Sequence, residues 1–266
     1  MKKDYPNDPF LQKRKERQRQ MRKRRSRILL VFFIVILLIV GTILSFTVFF
    51  PIKNINASGS GHYTQSEIVK VSQIEVGDNL FAISKKDTLE TLKTKLPFIE
   101  SIEFKRTLPD TLTIKVKEAK EFTCYKFGNK YYTVSESGWV LNAYDEKPEN
   151  VIEVVASKFK CKVGTALEFS DESSNDLVEN VINNLVASGL SLQEVDISNR
   201  YSLKAKVENR FTVEFGSTAD LEHKIKHLKT MIESIPENKK GKIDLSGWNS
   251  QNTQGIFVEN AYKPGV

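Results

Sequence analysis

Histidine and cysteine are scarce in this chain, with three and two residues respectively among 266. His223 and His227 have the i, i+4 spacing of a helical metal site. The zinc-protease pattern, however, requires glutamate directly after the first histidine, and Lys224 stands there instead. We therefore expect a solvated helix face at this position and predict no metal site. His62, beside a Gly-Ser turn, is likewise expected to be solvated.

Motifs for catalysis and cofactor binding are also lacking. Neither Cys124 nor Cys161 lies in a CxxC motif or a typical nucleophile setting, and no glycine-rich loop has phosphate-binding spacing. Acidic residues are scattered singly among lysines, as on a solvated surface. The sequence thus predicts no catalytic activity and no cofactor. Both cysteines lie after residue 50, and a disulfide between them is permitted if this part of the chain is exported. The sequence leaves open whether they pair.

Positive charge is concentrated in residues 1–27, which hold twelve Lys or Arg and three acidic residues, a net charge of +9. Residues 28–266 therefore carry −2 of the total of +7. Arginine-rich arms also bind nucleic acid, but no aromatic or folded segment accompanies this one, so we expect no nucleic-acid partner. We expect a disordered cytoplasmic tail close to anionic lipid headgroups.

Residues 28–50 (ILLVFFIVILLIVGTILSFTVFF) are uncharged and mostly apolar, and they predict a single transmembrane helix. At a rise of about 1.5 Å per residue it reaches roughly 34 Å, enough for a hydrocarbon core of about 30 Å. A buried core helix is the alternative, but such helices seldom stay apolar on every face over this length. A cleaved signal peptide would be shorter and end in a small-x-small site. The basic tail predicts a cytoplasmic N-terminus and an exported C-terminal part.

Residues 51–118 predict a domain with the order β-α-α-β-β. Thr64 and Glu67 have the spacing of a capping box, which marks the start of a short helix. A strand, this helix, a second helix and a hairpin are expected at residues 52–57, 64–71, 85–96 and 102–117. This order places one helical layer over a small sheet.

Residues 119–262 predict a second domain in which strands outnumber helices. Strands are expected at residues 122–125, 131–135, 139–144, 151–156, 192–197, 203–207, 211–215, 242–245 and 255–260. Helices are expected at 175–188 and 219–234, where apolar residues recur at helical spacing. Short turns favour a mixed, largely antiparallel sheet with packed helices, so the fold class is α+β. Residues 263–266 are expected to be a short C-terminal tail.

Several motifs together resemble the FtsQ/DivIB family of bacterial cell division proteins. Besides the basic tail and the anchor, they are GDNLF at 77–81, LPFIESIEFKRTLPDTLTIKVKEAKEF at 96–122 and ESGWVL at 136–141. The most specific part comprises Arg106, Leu108, Pro109, Thr111, Leu112 and Glu118. The resemblance covers residues 22–262. It implies a POTRA domain at 51–118 and the β domain of that family at 119–262.

The resemblance also implies a binding site. In that family a strand near the end of the β domain receives FtsB/DivIC, and the matching strand here follows Asp244-Leu245. As the last strand of the chain it is also the expected sheet edge, where a partner strand can be added. The predicted partner-binding residues are Trp248, Gly255, Ile256, Phe257, Val258, Glu259 and Tyr262. From the residues alone, the alternative is that Phe257 and Trp248 are ordinary core residues. In addition, residues 246–254 make a longer segment than the turn expected at this place.

A non-catalytic scaffold at the division septum is the function that the resemblance implies. Its partners would be FtsB/DivIC-like and FtsL-like division proteins, and it would help to position septal peptidoglycan synthesis machinery. The alternative is a membrane-anchored POTRA chaperone or assembly factor for exported polypeptides. Transporters of that kind carry a membrane barrel after the POTRA module, and residues 119–266 lack the regular series of about ten-residue alternating strands that a barrel needs.

Overall fold

The computed structural model describes residues 28–41, 50–170, 172–248 and 254–259. Residues 28–41 form helix α1, and its large apolar side chains are exposed. Within the described ranges, no helix combines the length and apolar character needed to cross a bilayer. The predicted basic tail, residues 42–49 of the predicted anchor and the C-terminal tail lie outside the described residues.

The described residues fall into two compact units. Unit 1 contains the described residues up to Asn56 together with Ile74–Ser84 and Lys105–Thr113. Unit 2 takes in Ala57–Gln73, Lys85–Phe104 and the described residues from Ile114 onward. This division does not follow the domain boundary expected at residue 118, so the two sequence domains stay a prediction.

The first elements beyond α1 follow the expected order. They are β1 (Asn54–Ser58), α2 (Gln65–Ser72), α3 (Lys85–Lys95), β2 (Ile99–Thr107) and β3 (Thr111–Glu118), and the strands form a sheet with the order β1-β3-β2. Helix α2 begins with the capping box expected from the sequence. Glu67 N donates to Thr64 Oγ1 (3.3 Å), and Thr64 N donates to the Glu67 carboxylate (2.8 Å).

Eleven further strands lie among the described residues after residue 118. They are β4 (Thr123–Phe127), β5 (Lys130–Val134), β6 (Val140–Tyr144), β7 (Ile152–Val155), β8 (Phe159–Lys160), β9 (Glu168–Phe169), β10 (Leu192–Asp196), β11 (Leu203–Val207), β12 (Phe211–Gly216), β13 (Gly241–Asp244) and β14 (Ile256–Glu259). Nine of them form one sheet with the order β14-β13-β12-β11-β10-β7-β4-β5-β6. Only the pairs β4/β7, β7/β10 and β12/β13 are parallel, which confirms a mixed, largely antiparallel sheet. Strands β8 and β9 pair only with each other and were not expected from the sequence.

Two helices, α4 (Glu172–Ala187) and α5 (Leu221–Ser234), pack on this sheet and confirm the α+β class. Both have apolar residues at helical spacing, so each presents one stripe to the sheet. The stripes contain Leu185 and Leu228, which are fully buried in the same core as Val213 and Phe215 of β12. This core lies directly behind β12 and β13, the strands that lead to the candidate edge.

Candidate partner-binding edge

Strand β14 is an outer strand of the nine-stranded sheet. It pairs antiparallel with β13, with Ile256 opposite Asp244 and Val258 opposite Lys242. Among the described strands, none pairs with β14 on its other side. The main-chain N–H and C=O groups along that side are the groups that an added strand would bind.

From Ile256 to Val258, the side chains of β14 alternate between solvent and core. Ile256 and Val258 are 62% and 56% exposed. Phe257 is half-buried against the core, and its ring meets that of Phe211 edge to face with 6.0 Å between centroids. The apolar groups of β14 that face solvent are therefore Ile256 and Val258, while Phe257 holds the strand to the sheet.

Trp248 is likewise half-buried against the core. Its ring is nearly parallel to that of His223, with 6.1 Å between centroids and 13° between planes. Its Nε1 is buried and has no acceptor among the described residues. Trp248 and Phe257, two of the three aromatic residues predicted to bind a partner, thus contact the core, and their part in partner binding stays a prediction.

Two glycines allow β14 to approach its neighbours closely. A Cβ atom at Gly241 would overlap the carbonyl oxygen of Val258. A Cβ atom at Gly255 would lie 2.5 Å from Met231 Sδ and 2.7 Å from Leu245 Cδ2. Only glycine fits both positions without a shift, and the absence of a side chain there allows β14 to lie close to β13 and to the end of α5. Gly255 was among the predicted site residues, and Gly241 was not.

Charged side chains near this edge have partners within the chain. Glu259 binds Lys239 Nζ through both carboxylate oxygens, at 2.8 and 3.1 Å. The Asp244 carboxylate accepts hydrogen bonds from Ser246 Oγ (2.7 Å) and Ser246 N (2.9 Å), which lower the pKa of Asp244. The edge therefore offers mainly an apolar strip and main-chain groups.

Lys224 corrects one expectation from the sequence. The solvated face predicted around His223 and His227 does not include Lys224, whose side chain is buried. Its Nζ donates to the carbonyl oxygens of Phe215 (2.8 Å) and Ser217 (2.9 Å) and so joins α5 to the end of β12. Burial lowers the pKa of Lys224, and nearby Asp220 opposes this effect. A lysine between His223 and Ile225 gives no sequence signal for burial.

The opposite edge of the sheet, β6, is partly covered. Val140 N donates to Thr165 O (2.9 Å), and Gly164 N donates to Val140 O (3.0 Å). Trp139 forms an isolated bridge with Ala166. This local pairing occupies the start of β6, so β14 is the more accessible edge for strand addition.

Other predicted positions have simpler outcomes. Tyr262 and residues 249–253 of the long turn lie outside the described residues. Cys124 and Cys161 are both free thiols, and burial raises the pKa of each to about 11. Within the described part of the chain, no group of three or more His, Cys, Asp or Glu side chains is placed to hold a metal ion.

Comparison with known families gives two matches. Residues 50–119 match the family described as POTRA domain, FtsQ-type, and residues 125–246 match the family described as Cell division protein FtsQ/DivIB, C-terminal. The second match ends before Trp248, so β14 itself lies beyond it. The POTRA match agrees with the observed β-α-α-β-β order.

Curated proteins similar to this chain are described as cell division protein DivIB or FtsQ. Cell division protein DivIB of Clostridium botulinum (strain Hall) is 28% identical over 206 residues, which cover 74% of this chain and 79% of that protein. DivIB of Staphylococcus aureus (strain NCTC 8325) is 22% identical over 81% of this chain and 47% of that protein. Cell division protein FtsQ of Koribacter versatilis is 25% identical over 59% of this chain and 45% of that protein.

Proposed function

Because this chain belongs to the FtsQ/DivIB family of bacterial cell division proteins, we propose that it is a non-catalytic scaffold of the division septum. Residues 28–50 anchor it as a single-pass membrane protein with a cytoplasmic N-terminus. The POTRA domain contributes to recruitment, and the β domain binds partner proteins. In this role the protein holds FtsB/DivIC-like and FtsL-like proteins and helps to position septal peptidoglycan synthesis.

The apolar character of residues 28–50 supports the anchor. Helix α1 covers the first part of this run, and its large apolar residues are exposed on all sides of the helix. A helix without a polar face does not match the usual surface of a soluble domain. The +9 tail that precedes it favours retention of the N-terminus in the cytoplasm.

The open edge at β14 is the observation on which the binding role rests. A partner strand beside β14 would form main-chain hydrogen bonds along its outer side, and its own apolar side chains would cover Ile256 and Val258. We propose that the membrane-proximal exported segment of an FtsB/DivIC-like protein supplies that strand. Phe257 and Trp248 act indirectly, because they fix the edge to the core.

Substitution of Ile256 and Val258 by lysine tests this proposal. Both side chains are exposed, so the double variant should fold, while two desolvated charges should prevent close strand addition. We expect co-purification of the FtsB/DivIC-like partner with the full-length chain to fall at least several-fold. Tyr201→Lys is the matched control, because Tyr201 is also highly exposed but lies in the β10–β11 connection.

Undiminished co-purification by the double variant, with normal amounts of folded protein, would reject β14 as the binding edge. The cellular role has a separate test. Depletion of the protein should give filaments without septa, and a tagged full-length chain should form a midcell band. A uniform peripheral signal in dividing cells would argue against a septal scaffold.

A further inference from the structure

The loop after α2 is attached to the last residue of the apolar run and to the segment that follows it. Leu80 N donates to the carbonyl oxygen of Phe50 (2.9 Å), and Ile52 N donates to that of Asp78 (2.8 Å). The rings of Phe50 and Phe81 meet edge to face, with 5.3 Å between centroids. All these residues belong to unit 1. The loop is therefore held beside the first residues after the proposed anchor.

The β2–β3 turn of unit 1 is attached to the same short segment. Lys53 N and Asn54 N both donate to the carbonyl oxygen of Asp110, at 2.8 and 3.3 Å. Lys53 Nζ also lies 3.5 Å from the Asp110 carboxylate. Because Asn54 is four residues from Phe50, the chain between the attachment and the end of the apolar run spans at most about 14 Å.

These two loops expose three apolar side chains. Val76 is 68% exposed, Phe81 45% and Leu108 61%. Single exposed apolar residues are common on soluble domains, but here three of them occur on two loops that are attached to one short segment. The unusual feature is that both loops are attached to residues 50–54.

A cation borders this apolar group. Arg106 Nε donates to the carbonyl oxygen of Leu80 (2.7 Å), and its guanidinium carbon lies 5.9 Å from the centroid of the Phe81 ring. Phenylalanine and leucine combined with arginine suit the membrane–water interface, where the apolar groups enter the boundary between headgroups and acyl chains and the guanidinium stays with the headgroups. The nearby Asp110 is paired with Lys53, which reduces its repulsion of anionic lipid.

We propose that Val76, Phe81, Leu108 and Arg106 form a lipid-contact surface that rests on the outer face of the membrane. The three apolar side chains enter the boundary between headgroups and acyl chains, and Arg106 faces the lipid phosphates. The inference rests on the proposed anchor at residues 28–50, because that anchor brings Phe50 to the bilayer. The contact restrains the loops of unit 1 against the membrane, whereas a single helix would leave them free to swing away.

Photo-cross-linking of the full-length chain tests the surface. The chain is reconstituted into vesicles of phosphatidylethanolamine and phosphatidylglycerol, with a benzophenone-bearing amino acid in place of Phe81 or, separately, Leu108. Phe127 is the matched control, because this residue is 47% exposed, close to the 45% of Phe81, but it lies on β4 in unit 2. We expect the yield of lipid adducts, measured by mass spectrometry, to be several-fold higher at Phe81 and Leu108 than at Phe127.

Equal lipid adducts at all three positions, or adducts to protein alone at Phe81 and Leu108, would overturn the lipid-contact surface. Alkaline extraction of the same vesicles reports on the anchor separately. A chain that resists extraction but shows no excess of lipid adducts rejects only the lipid-contact surface. A chain that is released by alkali rejects both the anchor and the surface that rests on it.

Discussion

At the scale of single residues, Glu118 shows why one position of the family-like motif matters. Its carboxylate accepts hydrogen bonds from Ser60 Oγ (2.5 Å), Gly61 N (2.7 Å) and His62 N (2.8 Å), and His62 Nδ1 lies 3.1 Å away. Partial burial opposes ionisation, but these hydrogen bonds outweigh it and hold the pKa of Glu118 at about 2. The carboxylate therefore fastens the 58–63 loop to the end of β3.

His62 was expected to be solvated, and about half of its side chain is exposed. The other side stacks on Phe98, with 4.3 Å between centroids and 9° between planes. A Gly-Ser turn in the sequence gives no sign of these contacts, because Phe98 and Glu118 are distant in the chain. Local sequence indicated the turn correctly but could not indicate its tertiary partners.

Glu118→Gln is expected to destabilise the protein at neutral pH. The substitution removes the charge that strengthens three hydrogen bonds, so the free energy of unfolding should fall by about 1–3 kcal/mol. Because the native pKa lies below the ordinary value of 4.5, the wild-type contribution is fully present above about pH 4.5 and is lost as the pH falls towards 2. Denaturant unfolding at pH 7 and pH 3 measures both effects.

Glu103→Gln on β2 is the control for this substitution, because Glu103 is exposed. The Glu118→Gln variant should lose less stability than the wild type between pH 7 and pH 3. Wild-type stability of the Glu118→Gln variant at pH 7 would contradict the role assigned to the carboxylate.

At the scale of elements, the periodicity of the sequence was sufficient to predict most helices and strands. The capping box of α2 and the apolar stripes of α4 and α5 are local signals, and all are confirmed. Strands β8 and β9 were missed because two residues each are too few for an alternating pattern. The side of the sheet on which Phe257 lies could not be predicted, because it depends on the register between β13 and β14.

Gly241→Ala tests whether partner binding depends on the position of β14 rather than on its side chains alone. The added methyl group would meet the carbonyl oxygen of Val258, so β14 should separate from β13. We expect faster amide hydrogen exchange at residues 256–259 and a several-fold loss of FtsB/DivIC-like partner. Hydrogen-exchange mass spectrometry and co-purification measure the two effects.

Gly247→Ala is the matched control for Gly241→Ala, since a Cβ atom at Gly247 meets nothing within 4 Å. Normal exchange protection of β14 in the Gly241→Ala variant would show that the strand tolerates the methyl group. If β14 is unprotected in the Gly241→Ala variant but the partner still binds normally, then partner binding does not depend on this edge.

At the scale of the whole molecule, family and fold could be predicted from motifs, but the connection between the two sequence domains could not. Unit 2 joins residues from both sides of position 118. Trp139 Nε1 donates to the carbonyl oxygen of Lys93 (3.2 Å), and Lys93 Nζ lies 5.0 Å from the Trp139 ring centroid. In the sequence, ESGWVL served as one of the motifs that indicate the family. The structure shows in addition that its tryptophan contacts the end of α3.

Gly164 completes this junction and provides its test. A Cβ atom at Gly164 would overlap the carbonyl oxygen of Thr94, and the residue has φ of +80°. Gly189 has a similar φ of +75° but nothing within 4 Å, so Gly189→Ala carries only the backbone cost of about 1–2 kcal/mol. Gly164→Ala should carry that cost and also force the 162–166 segment away from α3.

We therefore expect Gly164→Ala to lower the unfolding midpoint of the full-length chain in detergent by more than Gly189→Ala does. Tryptophan fluorescence should also change in the folded Gly164→Ala protein, because Trp139 would lose its contact with Lys93. Equal unfolding midpoints of the two variants and unchanged fluorescence would mean that the structure accommodates the methyl group at residue 164 without an additional loss of stability. In that case the close approach of residue 164 to Thr94 would not be what holds the 162–166 segment beside α3.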